Sequence, residues 1–226
     1  DFAMCGFDRA DLIITVGYDL IEYGPNYWNP KNDKAIIHID STAAEVDQFY
    51  HPQIELIGDI RQTLEELIEL TGFKKEFPYL EKLKEIARAE YRSFKDGTSF
   101  PVKPQKILYD LRHALRDDDI VISDVGMHKL WLARQYPAYE PNTVIISHGF
   151  ASMGISLPGA VAAKLIYPKR KIVAVCGDGS FLMNSQELET ARRLGLSFVV
   201  LIFNDGKYGM IEWKQINQFG ASFGMS

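Results

Sequence analysis

Cysteine is nearly absent from the chain: Cys5 and Cys176 are the only two among 226 residues, and they lie far apart. They form neither a disulfide framework nor a zinc-ligand spacing. A reducing, cytoplasmic compartment is the expectation. No apolar run approaches ~18 residues, which excludes a transmembrane helix. No basic-then-apolar signal segment opens the chain. A surplus of positive charge is also missing, since the formal net charge is −5, which argues against a general nucleic-acid binder. G-x-x-x-x-G-K-[ST] does not occur, which excludes a P-loop. G-x-G-x-x-G does not follow any early strand, so NAD is not implied. Hydrophobic residues do abound, at 46%, and a disordered chain is excluded.

Short apolar runs end in Gly, Asp or Ser at regular intervals. Leu12–Val16, 35–39 and 54–57 read as strands in a first block, residues 1–72. Asp59 is a candidate N-cap for a following helix with Ile60, Leu64, Leu67, Ile68 and Leu70 on one side. Residues 73–102 are charged and broken by Asp96-Gly97, Pro101 and Pro104, and read as a linker. Residues 103–226 begin with an amphipathic helix from Pro104. Strands follow at 120–122, 144–146, 171–175 and 197–203, a small-residue helix spans Gly154 to Ala163, and a further helix covers 185–194. This alternation predicts an α/β fold of two doubly wound, Rossmann-like parallel-sheet domains, both incomplete. With Asp1 at its start and Ser226 at its end, the chain reads as an internal fragment.

The chemistry concentrates between Lys171 and Gly206, a βαβ crossover of ordinary size. Gly177-Asp178-Gly179 ends one strand, and Asn204-Asp205-Gly206 ends the next after an interval of 24 residues, 180 to 203. Each tripeptide alone is a common turn. Together they bring two carboxylates to one sheet edge, where their repulsion calls for a cation. Oxygen ligands favour Mg²⁺ or Ca²⁺. Gly179 and Ser180 open a helix, whose free amides suit a phosphate. A Mg²⁺–diphosphate site follows from these features.

Gly177-Asp178-Gly179, the 24-residue interval and Asn204-Asp205 resemble the motif shared by the thiamine diphosphate enzymes. Closer still, 177–191, Asp124-Val-Gly126, Gly149–Gly154 with Leu157-Pro158, and Gly209-Met210 are similar to the acetolactate synthases. Val16–Asp19, Ile21–Tyr23 and 36–40 resemble the middle domain of that family. The resemblance implies thiamine diphosphate and Mg²⁺ as cofactors and pyruvate as substrate, two pyruvates condensing to 2-acetolactate and CO2. It implies Asp178, Asp205 and the main chain of Lys207 as metal ligands. Gly126, Met127, His128, Gly177, Gly179 and Ser180 would surround the diphosphate, and the backbone of Ala151 and Met153 the aminopyrimidine. Met153 also matches the side chain that bends the cofactor, and Met210 and Ile211 line the substrate pocket. On the residues alone, ordinary core is a rival reading for Met153 and a solvated loop histidine one for His128. The family places its activating glutamate in an N-terminal domain of a neighbouring subunit, which implies a homodimer or homotetramer.

Two departures point to the FAD-free catabolic branch. Tyr18–Tyr23 stands where biosynthetic members carry an FAD-associated Arg-Phe-Asp-Asp-Arg stretch, and Trp213 is displaced by one place relative to their Gln-Trp-Gln. The competing readings are a 2-keto acid decarboxylase or pyruvate oxidase, and a non-catalytic diphosphate-binding module.

Overall fold

The computed structural model describes residues 2–20, 23–71 and 77–225. The chain divides into two compact units, Asp1–Ala89 and Glu90–Ser226. Ile21 and Glu22 of the Tyr18–Tyr23 stretch, and the expected boundary at 72–73, fall outside the described residues.

In the first unit, strands β1 (Leu12–Val16), β2 (Ala35–Asp40) and β3 (Ile54–Ile57) form a parallel sheet in that order. Helices α1 (Phe2–Phe7), α2 (Pro25–Trp28) and α3 (Ile60–Thr71) accompany it. Ile13, Ile36, Trp28 and Tyr50 make its core. Along β1 burial alternates, as a strand with one covered face requires. Asp59 accepts the amide of Gln62 at 2.8 Å and caps α3. The apolar side expected for α3 is not buried: Ile68 and Leu70 stay 71% and 83% exposed. This helix follows the edge strand, where the sheet ends.

Most of the described part of the expected linker is a helix, α4 (Pro78–Ser93). The second unit continues through α5 (Pro104–Ala114), β4 (Ile120–Ser123), α6 (Met127–Gln135), β5 (Val144–Ile146) and α7 (Ser156–Ile166). It ends with β6 (Ile172–Gly177), α8 (Asp178–Met183), α9 (Glu187–Arg193), β7 (Val199–Phe203) and α10 (Gly209–Phe219). The four strands are parallel in the order β5-β4-β6-β7. Leu108 and Leu132 pack against Val121, Val173 and Val175 on one face. Leu157, Ala160 and Ala163 pack against Ile120, Ile122 and Ala174 on the other. Both faces being covered, β4 and β6 are almost continuously apolar and buried. Gly159 lets α7 approach closely: a Cβ there would lie 3.3 Å from Ile122.

The helices are shorter than the pattern suggests. Gly154 precedes α7 with φ +89° instead of lying within it. Glu187, not Ser185, begins α9. No helix among the described residues is long and apolar enough to cross a membrane.

Candidate cofactor site at the carboxyl edge of the second sheet

After β4 the chain moves to β5 on one side, and after β6 it moves to β7 on the other. The loops leaving these adjacent strands diverge and open a crevice at their carboxyl ends, the ligand position of open α/β sheets. A cavity of about 750 Å³ occupies it. Its size is that of a small-molecule pocket.

Every residue nominated from the sequence lines this one cavity. Gly126 comes from the β4–α6 turn, Met127 and His128 from the first turn of α6, and Ala151 and Met153 from the segment before α7. Gly177 ends β6, Asp178, Gly179 and Ser180 form the first turn of α8, Asp205 and Lys207 come from the loop after β7, and Met210 and Ile211 from the first turn of α10. Val102, Ile107, Trp131, Ile202 and Trp213 supply apolar wall.

The two carboxylates are joined through one loop. Asp178 Oδ2 accepts the amide of Gly206 at 3.1 Å, and Asp205 Oδ1 that of Lys207 at 3.3 Å. The Lys207 ammonium pairs with Glu212 at 2.5 Å, and this partner raises its pKa. Among the described residues no group of three His, Cys, Asp or Glu side chains could hold a metal. Two carboxylates with the remaining oxygens drawn from phosphate, backbone and water is a donor set that suits Mg²⁺.

Glycine opens the space beside these groups. A Cβ on Gly209 would lie 2.7 Å from Asp205 Oδ2, and one on Gly179 would lie 3.0 Å from the Tyr208 ring. Ser180 Oγ donates to the Val125 carbonyl at 2.9 Å, tying the two turns together. Amides in the first turn of α8 have no intrahelical acceptor. His128 is 4% exposed, not the solvated loop histidine of the alternative reading. Its ring lies against Phe203, and Nε2 is buried with no hydrogen-bond partner among the described residues. Burial pushes its pKa below the ordinary imidazole value, against the opposing pull of Asp124 and Asp205. An orphaned buried nitrogen and a glycine-lined cradle on the same cavity fit a polyanionic ligand. Cys176 lies behind them, fully buried, its thiol pushed up to about 11 by burial, so it offers no nucleophile.

Sequence reasoning did not single out Asp124, Asn184 or Tyr208. The Asp124 carboxylate is fully buried and accepts the amides of Val125, Gly154 and Ser156 at 2.8, 2.7 and 2.8 Å. Asn184 Nδ2 donates to the Gly154 carbonyl at 2.8 Å. Asp124 carried two signals, a carboxylate immediately following an apolar strand and a place in the Asp124-Val-Gly126 stretch that resembles the family.

Fold and site together define an α/β protein with a cofactor-sized pocket at the switch point of a parallel sheet. The chain matches the thiamine pyrophosphate enzyme C-terminal TPP binding domain over residues 124–225 and the central domain of the same enzymes over residues 2–67. It is 38% identical to an acetolactate synthase of Bacillus subtilis, over 95% of this chain and 38% of the relative. It is 34% identical to a catabolic acetolactate synthase of Raoultella terrigena, over 96% and 40%. With the acetolactate synthase isozyme 3 large subunit of Escherichia coli it shares 32% identity, over 92% and 38%. The chain thus spans roughly two fifths of the length of these relatives. It belongs to the thiamine pyrophosphate enzymes.

Proposed function

We propose that the protein to which this chain belongs is a thiamine diphosphate- and Mg²⁺-dependent acetolactate synthase. It condenses two pyruvates to 2-acetolactate and releases CO2. The observation that carries this reading is the convergence of Asp178, Asp205, His128, Met153 and Met210 on one cavity, in a chain alignable over nearly its whole length with acetolactate synthases.

In this reading Asp178, Asp205 and the Lys207 carbonyl hold Mg²⁺. Gly126, Met127 and His128 face the diphosphate from one side, and Gly177, Gly179 and Ser180 from the other. The backbone of Ala151 and Met153 holds the aminopyrimidine. When bound, thiamine diphosphate supplies the electron sink for breaking and making carbon–carbon bonds next to a carbonyl. Met210 and Ile211 bound the space for the keto acid, and the apolar wall excludes water. The same reading assigns residues 1–72 to the middle domain, 73–102 to a linker and 103–226 to the diphosphate-binding domain. It places the active site at the interface of a homodimer or homotetramer, in the cytoplasm, without FAD.

Product analysis tests it. Full-length protein is incubated with pyruvate, thiamine diphosphate and Mg²⁺, without FAD. Acetolactate as the main product is the expected result. Acetaldehyde or acetyl phosphate in its place overturns the synthase assignment, and turnover only after FAD is supplied overturns the FAD-free one.

A further inference from the structure

Gly154 is held on both of its peptide groups by side chains from elsewhere. Its N–H donates to Asp124 Oδ1 at 2.7 Å, and its carbonyl accepts Asn184 Nδ2 at 2.8 Å. The same Asp124 carboxylate accepts the amide of Ser156, the first residue of α7, at 2.8 Å. The segment between β5 and α7 needs such anchoring. Gly149, Ala151 and Gly154 have φ of +69°, +48° and +89°. A left-handed alanine persists only where its surroundings overdetermine it. At Gly154 a side chain would be strained on two counts, the positive φ and a Cβ standing 2.7 Å from Asn184 Nδ2 and 3.1 Å from Met183 Cβ.

We propose that Asp124 and Asn184 are positioning residues, which together hold the segment carrying Ala151 and Met153 in the conformation that faces the cofactor. This rests on the cofactor assignment made under Proposed function. A buried carboxylate is a costly way to end a strand unless its oxygens are fully partnered. Its two oxygens are matched to backbone amides and to the N-terminus of α7. The two anchors also come from the loops that flank the diphosphate end. Asp124 lies two residues before Gly126, and Asn184 directly follows α8, which begins at Asp178. The pair therefore sets the distance between the part of the cavity that takes the diphosphate and the part that takes the aminopyrimidine. Disturbing it weakens a ligand that spans both parts and spares a ligand that fills only one.

The test is calorimetric titration of the full-length protein, with Mg²⁺, by thiamine diphosphate and separately by inorganic diphosphate. Wild type is compared with Asp124→Asn and Asn184→Ala. The expected result is at least a tenfold or so loss of affinity for thiamine diphosphate, with inorganic diphosphate held to within about twofold. Parallel weakening of both ligands, or no change in either, overturns the inference. Asn184 is only half-buried and carries the same test if Asp124→Asn does not fold. A wild-type protein that binds inorganic diphosphate but not thiamine diphosphate removes the cofactor assignment itself, and this inference with it.

Discussion

Asp178 accepts the amide of Gly206 at 3.1 Å, so the first residue of α8 is bonded to the loop that carries Asp205. The contact joins the carboxyl ends of two neighbouring parallel strands, β6 and β7, and holds both carboxylates at one place. Without a cation they repel, and with one they converge on it.

Asp178→Ala separates the two situations. The metal-free variant loses one hydrogen bond and one repulsion, so its unfolding free energy changes by about 1 kcal/mol or less. Its Mg²⁺-dependent affinity for thiamine diphosphate falls by at least about a hundredfold. Urea denaturation and calorimetric titration of the same preparation check both halves. Retained cofactor affinity reduces Asp178 to a turn residue.

The strands on which this site is built were legible because both read as unbroken apolar runs: 172–177 is buried on both faces, whereas 199–203 is as apolar but lies at the sheet edge and stays partly exposed. The paired motif was legible because its spacing places two strand ends side by side. The clamp on Gly154 was not legible. It joins residues 124, 154 and 184, which no local pattern connects. The position of Gly154 outside α7 followed from the same blindness, since a run of small residues fits a helix until a positive φ interrupts it. The apolar side of α3 was read correctly as a pattern, but a pattern does not say whether a partner covers it.

Gly209→Ala sets helix propensity against a collision. Alanine in place of glycine favours α10 by up to about 1 kcal/mol. Its Cβ, however, would stand 2.7 Å from Asp205 Oδ2 and 3.1 Å from Met127 Cγ. Asp205 is exposed and its carboxylate can swing away, so the fold tolerates the change. On the proposed reading Mg²⁺ binding does not tolerate it, because one of the proposed ligand oxygens has moved. Thermal stability without Mg²⁺ is expected to hold or rise, while the Mg²⁺ concentration for half-maximal cofactor binding rises by about tenfold or more. An unchanged Mg²⁺ requirement would remove Asp205 from the ligand set.

Asp119 gives the second unit an acid limit. Burial alone would raise its pKa, but the amides of Arg116 and Lys171 at 2.9 and 2.8 Å and the Arg116 guanidinium outweigh burial and lower it. A carboxyl with a folded pKa below the unfolded one stabilises the fold above the unfolded value. That contribution is lost as pH falls through the folded value, which lies below the ordinary carboxylate pKa of about 4. Wild-type melting temperature is expected to drop as pH falls below about 4. Asp119→Asn is expected to be less stable at pH 7 by about 1–3 kcal/mol and to show a flatter acid limb. Equal slopes for the two proteins would place the acid sensitivity elsewhere.

Leu132 links the core to the cavity. It is fully buried against Val121 and Val173, and it sits on α6, whose first residues are Met127 and His128. Leu132→Ala leaves a cavity under this helix and is expected to cost about 2–5 kcal/mol in unfolding free energy. The loss acts through the folded population, because Leu132 is not among the residues lining the pocket. Saturating thiamine diphosphate and Mg²⁺ bind only the folded state, so at a hundredfold excess over Kd they restore about 2.7 kcal/mol. Urea unfolding of wild type and variant, with and without cofactor, reads both quantities. Equal cofactor stabilisation in the two proteins is the expected result. A smaller stabilisation of the variant would mean that packing under α6 also sets the position of His128.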